Sequence, residues 1–461
     1  MARVLELGLV AFVVLAPWPL GGVPPAGRLA IEVAALALLV VWCAEAVVRG
    51  VVLPPKPVIL AGVLGLVFAA AQAVPIGEPV VALLSPRAAA VRDACRPPEA
   101  VRDVEARVLG ADPQTLDRPA SLSIDPRATA SALRTGAAAL ALLLVGTAVA
   151  ASGGAGRVVL ALLAGSAFQG LYGLLVLLSG HDRIWHLAKR HNLDAATGTY
   201  VNKNHFACLV AMGLACGLGL LLDRARGSSG ETLRRRFVAS LDARGSGTLL
   251  VGLLVIVALA GLLTSLSRAG IAAGALGLAL AALGGRGTRT RTGVVALLVV
   301  IAVAAVPLVQ IGADRLVAAY GQSPEDLETG RLTVWCDTLR VAGAFPITGA
   351  GFGTFAAVYP QFRSAEVRRF YDHAHNDALQ GLAEGGVVGT TFLAVIVGAI
   401  FAAAARALGQ RESALGAGLA ASIVVFAVHG LVDFNAHIPA NLAIAAVLSG
   451  LLLGLPWSTE N

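Results

Sequence analysis

The sequence predicts an all-α protein: a polytopic integral membrane bundle of about 12 transmembrane helices with a helical cap on its outer face. Three observations predict it. The chain is 57% hydrophobic and only 14% charged, with a mean hydropathy of +0.78, well outside the range of soluble proteins. Apolar stretches of membrane-spanning length recur from one end to the other. Short loops rich in arginine alternate with loops that are not, as expected of a chain threaded back and forth across a bilayer.

The spans are placed near residues 4–20, 28–48, 58–75, 132–151, 157–178, 204–222, 248–266, 269–285, 293–311, 387–405, 414–432 and 438–455. The seventh and eighth are separable only if Ser265-Leu-Ser-Arg-Ala-Gly270 forms the turn between them. At the N-terminus, Arg3 and an apolar run precede Pro17-Trp-Pro-Leu-Gly-Gly22, with no small-x-small cleavage site. An uncleaved first span is the expectation.

Sidedness follows from the basic loops. Residues 223–247 carry Arg224, Arg226, Arg234, Arg235, Arg236 and Arg244, and residues 286–292 carry Arg286, Arg289 and Arg291. Arg49 with Lys56, Arg157, and Arg406 with Arg411 mark three more. Alternating the spans puts all five loops on the cytoplasmic side together with both termini. Two long loops, 76–131 and 312–386, then lie outside. The formal charge of +7 is thereby read as an orientation signal with an added attraction to anionic lipid, and nucleic acid is not an expected partner.

The outer loops differ in character. Residues 76–131 are rich in Arg, Asp, Glu and Pro, the composition of short surface helices with little core. In 312–386, Arg331, Trp335, Thr338 and Leu339 recur at helical spacing and Phe345-Pro346 ends that helix. Gly349-Ala-Gly-Phe-Gly353 follows, without the βαβ context of a dinucleotide site. Tight turns and close backbone approach are the expected use of those glycines. Cys43, Cys208 and Cys216 fall in spans and read as packing residues, while Cys95 and Cys336 share the outer face and can be bridged. With no repeat or linker, the chain is expected to be one integral domain.

The chemistry-bearing residues crowd the outer side. All eight histidines (His181, His186, His191, His205, His373, His375, His429 and His437) fall in or beside outward-facing regions. A transporter instead calls for ionisable groups near the midplane. Three clusters stand out. In Thr197-Gly-Thr-Tyr-Val-Asn-Lys-Asn-His-Phe-Ala207, Lys203 between Asn202 and Asn204 can hold a phosphate or merely snorkel to headgroups. Arg268, in Thr264-Ser-Leu-Ser-Arg268, can do the same or anchor a headgroup. In the third, Arg331 and Arg340 precede Tyr371-Asp-His-Ala-His-Asn-Asp377. His373 and His375 as a metal pair would need Asp372 and Asp377 to complete the set, with no cysteine nearby; no metal or other cofactor is expected.

Here the sequence resembles the O-antigen ligase family of bacterial membrane glycosyltransferases, which also takes in O-antigen polymerases and pilin O-oligosaccharyltransferases. His375-Asn376, nine residues and Gly386-x-x-Gly389 are similar to the family's His-[Asn/Ser/Gln]-x9-Gly-x-x-[Gly/Thr/Tyr] pattern. Asn202-Lys-Asn-His-Phe-Ala207, Ser267-Arg268-Ala-Gly270, and Arg331 with Trp335, Pro346 and Gly349-x-Gly-x-Gly353 resemble its other motifs in the same order. The likeness runs from about residue 121 to 450 and leaves 76–120 unmatched.

The resemblance implies a GT-C-like bundle in the bacterial inner membrane, with its site facing the periplasm. It implies a donor glycan on undecaprenyl diphosphate, and transfer to an acceptor hydroxyl with inversion and no metal. By motif position His375 is the general base; Arg268 and Arg331 meet the diphosphate charge, supported by Lys203. Asn202, Asn204, His205, His373, Asn376, Arg340 and Asp377 are the expected substrate contacts, with Asp372 or Asp377 orienting His375. The acceptor stays open. Lipid A–core, as in the ligases, comes first, then a second lipid-linked glycan in a polymerase, then a protein hydroxyl. A non-enzymatic lipid-linked glycan transporter is the reading from another class.

Overall fold

A computed structural model describes residues 2–96, 98–110, 120–225, 243–284, 324–367, 369–410 and 413–456. Among the described residues the architecture is all-α apart from one hairpin of two-residue strands. In chain order the helices are α1 (Ala2–Leu15), α2 (Pro25–Arg49), α3 (Lys56–Ala73), α4 (Glu78–Leu84), α5 (Pro86–Cys95), α6 (Glu99–Leu109), α7 (Pro126–Ala151) and α8 (Ala155–Ser179). The hairpin β1 (Arg183–Ile184) and β2 (Leu187–Ala188) precedes α9 (Lys203–Ala225), α10 (Ala243–Thr264), α11 (Arg268–Gly284) and α12 (Pro324–Ala344). The four-residue α13 (Phe355–Val358), then α14 (Asp377–Gly409), α15 (Ala414–Gly430) and α16 (Pro439–Leu453) complete it.

Each expected span within the described residues coincides with a helix. The one near 293–311 and the basic loop 286–292 lie outside them, as does most of 223–247. Among the described residues, 7 helices are long and apolar enough to cross a bilayer by length and composition. α11, α15 and α16 are apolar but shorter.

The chain divides into two compact units, 1–58 with 138–324 and 397–461, and 59–137 with 325–396. In the first, α9 is the axis: every residue from His205 to Leu220 is buried, and α8, α10, α11 and α15 pack around it. Small residues let these backbones touch. A Cβ at Gly219 would lie 2.8 Å from the Cα of Gly418 on α15, and one at Gly261 would strike Gly170 on α8. This is the membrane solution, where close van der Waals packing replaces the hydrophobic drive.

The connections expected outside gather at one end of this unit. Trp185 of the hairpin donates to the Trp18 carbonyl, Tyr200 lies against Gly21, and Ala196 N–H donates to the Thr264 carbonyl. At the other end, Glu6 on α1 and Arg157 on α8 form an ion pair.

The second unit holds the 76–131 segment. Its short helices are as expected, but they are not without a core. Val81, Ala88, Ala120 and Leu122 share a buried cluster with Val341, Phe345, Ala350 and Ala383. Arg92 is drawn into this unit, donating to the Ser121 and Ser123 carbonyls; burial lowers its pKa, with Glu78 opposing. α12 ends at Ala344, before Pro346, as the sequence predicts. Cys95 and Cys336 are both free and exposed. Cys208 and Cys216 are buried as expected, whereas Cys43, expected to pack, is exposed on α2.

Candidate active site

The motif residues divide between the units. In the first, Asn202 caps α9, its Oδ1 accepting the Asn204 N–H at 2.8 Å. Lys203 is therefore the first residue of α9, and Arg268, exposed, is the first of α11. The two helix starts are joined. Ser267 Oγ donates to Asn204 Oδ1 at 2.8 Å and accepts the Gly270 N–H. The turn expected at 265–270 is real: Leu266 takes a left-handed φ of 52° between α10 and α11. Gly270 is required there because a Cβ would strike that of Ala207. Two cations and the positive ends of two helices thus stand side by side, an arrangement suited to anions.

His205 sits differently. It is buried, its Nε2 lies 3.5 Å from Asp433 Oδ1, and its ring meets Phe434 edge-on at 4.6 Å. Its carbonyl accepts from Asn441 Nδ2, whose Oδ1 accepts from Tyr200. Asn441 also donates to Asn435, which contacts His429. This network secures the first turn of α9, with His205 buried within it.

The second unit carries the remaining motif residues, and its organising feature is a break in α14. Gly386 has φ 59° and ψ −165°, a conformation essentially reserved for glycine. The interruption frees backbone groups that the glycine loop satisfies. Val387 and Val388 N–H donate to the Pro346 and Ile347 carbonyls, while Ala350 and Gly351 N–H donate to Ala383 and Glu384. A Cβ at Gly386 or Gly349 would collide with this crossing backbone, and one at Gly389 would lie 2.9 Å from Phe352 Cζ. The spaced glycines are the physical requirement of that crossing.

The segment before the break holds the histidine loop from below. Asn376 caps α14 through the Leu379 N–H at 3.0 Å, and Asp377 opens the helix. Gln380, fully buried, accepts the Ala374 N–H on its Oε1 at 2.9 Å. That fixes the amide, so its Nε2 donates to Glu384 Oε1 at 3.0 Å and faces His373 Nδ1 at 3.1 Å. His373 Nδ1 must then accept, which puts the proton of the neutral ring on Nε2. Glu384 is buried and also receives the Gly353 and Phe355 N–H groups at 2.8 and 3.1 Å. Donors from three directions are what an ionised carboxylate needs.

His375 itself is half-buried with φ 51°, a left-handed conformation that histidine tolerates at a cost of about 1–3 kcal/mol. The bonds at Ala374 and Asn376 on either side hold it there. Its ring stands edge-on to Tyr371 at 5.7 Å. Tyr371 packs on a cluster containing Val334, Phe355, Tyr359 and Ala374, and its Oη lies 3.4 Å from where a Cβ at Gly330 would stand. Arg331 is next to that glycine and one turn before Val334, so α12 brings it to the rim of the same cluster. Asp372 is exposed.

Arg340 is engaged in structure: it pairs with Asp337 Oδ1 at 2.9 Å and contacts Ser364 Oγ at 3.0 Å. Buried Asp337 further receives the Ser364 N–H and the Tyr359 hydroxyl. Burial first, and then Asp337, raises the Tyr359 pKa, keeping the phenol a donor.

Sequence reasoning did not single out Gln72, Asp337, Gln380, Glu384, Asp433 or Asn441. For Gln380 and Glu384 a signal existed: two polar residues at i, i+4, just ahead of an apolar run, point to one buried helix face. Gln72, which bonds the Thr348 and Glu384 carbonyls from α3, gave none.

Residues 253–394 match a family model described as O-antigen ligase. The matched stretch contains Arg268, Arg331, the glycine loop, His375-Asn376 and the Gly386 break, while the Asn202–His205 motif precedes it. No curated protein matches the chain. Over that stretch, which holds the segments whose geometry depends most on their motif residues, the chain is similar to the O-antigen ligase family.

Proposed function

We propose that this protein is a member of the O-antigen ligase family and transfers a glycan from a polyprenyl diphosphate to an acceptor hydroxyl at the periplasmic face, with inversion and without a catalytic metal. The observation that carries the reading is the pair of joined helix N-termini headed by Lys203 and Arg268. A diphosphate leaving group gathers negative charge as its bond to the anomeric carbon breaks. Guanidinium and ammonium donors in a water-poor site meet that charge, each worth roughly 10²–10³-fold in rate. Arg331 is assigned the same task from α12.

The acceptor oxygen attacks the anomeric carbon opposite the departing diphosphate, and its proton passes to His375. General-base help of this kind is worth about 10²–10⁴-fold. The left-handed backbone at His375 supports the assignment, since strain held by neighbouring bonds clusters at reacting groups. His373, with its proton on Nε2, is suited to donate to the acceptor or to a donor-sugar oxygen. Asn376 and Asp377 set the position of the loop from the start of α14. Ligase-type transfer to lipid A–core or another non-protein glycan is the favoured acceptor class, with the inner membrane as the site and undecaprenyl diphosphate as the carrier.

The test is transfer by purified protein from an undecaprenyl-diphosphate glycan, without divalent metal, to lipid A–core, a second lipid-linked glycan or a Ser/Thr peptide. Product on one acceptor that disappears in His375→Ala, with donor binding kept, supports the base and names the acceptor. Unchanged transfer by His375→Ala would overturn it.

A further inference from the structure

A cavity of about 180 Å³ lies in the first unit, away from the motif residues. It is lined by Leu5 near the start of α1, Glu45 and Gly50 at the end of α2, Val51 just beyond, and Val149 and Ser152 at the end of α7. This is the end of the unit that the basic loops assign to the cytoplasm. Glu45 is 8% exposed, and its buried Oε2 has no hydrogen-bond partner among the described residues. The neighbouring carboxylate, Glu6, is by contrast paired with Arg157. A buried acceptor left without a donor is costly, and charge at such a site calls for a counter-charge. The C-terminal ends of α2 and α7 add negative potential.

We propose that this cavity binds a primary ammonium group, carried by an ethanolamine-type lipid headgroup. The lining holds a single carboxylate, too few oxygen ligands for a divalent cation. An ammonium supplies both the charge and an N–H for Glu45 Oε2. A quaternary amine has no N–H to give. The surroundings favour a lipid over a soluble amine. Val47, Val48, Val52 and Leu53, beside the cavity in sequence, are large apolar residues exposed by 88%, 69%, 53% and 52%, a surface that acyl chains would cover. The proposal is independent of the transfer reaction.

The experiment is native mass spectrometry of the detergent-purified full chain with matched phosphatidylethanolamine, phosphatidylcholine and phosphatidylglycerol. Wild type is expected to retain the ethanolamine lipid about tenfold over the choline lipid, the effect of one charge-assisted bond. Glu45→Gln should lose that preference, while Glu78→Gln, at an exposed carboxylate paired with Arg96, should keep it. Equal retention of all three lipids by wild type would overturn the proposal, as would an unchanged preference in Glu45→Gln. Displacement of the lipid by millimolar free ethanolamine would overturn the lipid source and assign the ammonium site to a soluble amine.

Discussion

Replacing Gly386 by alanine tests the claim that the break in α14 is what builds the histidine loop. At φ 59° and ψ −165° an alanine held in place costs about 1–3 kcal/mol in backbone strain. Its Cβ would also strike the carbonyl of Ile347, so the crossing loop must move. The alternative is for the helix to straighten. That surrenders the four bonds linking Pro346, Ile347, Ala350 and Gly351 to the break and regains two i→i−4 bonds within the helix. At about 1 kcal/mol per bond the net loss is about 2 kcal/mol. Either route leads to a loss of about 1–3 kcal/mol, or about 5- to 150-fold in the population of the native segment.

Activity should fall further than stability, because Gln380 and Glu384 hold the loop from the segment ahead of the break. Thermal unfolding in detergent and the initial transfer rate are the two readouts. Gly381→Ala is the control in the same helix. Its Cβ would make only an ordinary 3.7 Å contact with Leu393, and the change should be neutral or stabilising by up to about 1 kcal/mol. A Gly386→Ala protein with wild-type unfolding and wild-type rate would refute the reasoning.

Three other outcomes are expected. Arg268→Ala should lower the transfer rate by about 10²–10³-fold with the unfolding midpoint unchanged, since the side chain is exposed; single-turnover kinetics would show it. Glu384→Gln keeps the shape but leaves one buried N–H facing an amide N–H, a loss of about 1–3 kcal/mol measurable by thermal unfolding, with a fall in transfer rate as the His373 loop loosens. Asn441→Leu orphans the Tyr200 hydroxyl and the Asn435 side chain together, and should unfold several degrees earlier while the transfer rate, measured per folded molecule, changes less.

Local pattern was enough to determine the class of this protein, its helices and its motifs. Hydropathy places spans because every backbone group in a bilayer must bond within its own helix, which makes the apolar run and the helix the same object. Pro346 and the Ser267–Gly270 turn ended helices for reasons contained in a few residues. His375, Arg268 and Arg331 stand out as candidates for the same reason: each belongs to a short motif.

What the tertiary structure decided was the set of partners. Gln72 meets Glu384 across 312 positions of sequence, and Asn441 meets His205 across 236, distances over which no periodicity carries information. His205 and Arg340 are named from their motifs as expected substrate contacts, and no local pattern names the groups they face in the fold. Those groups are Asp433 for His205 and Asp337 for Arg340. The proton position on His373 depends on the Gln380 amide, whose orientation is fixed by the Ala374 N–H of the loop folded over it. Burial and hydrogen-bond geometry are properties of the assembled neighbourhood, and they appear only once distant segments have been brought together.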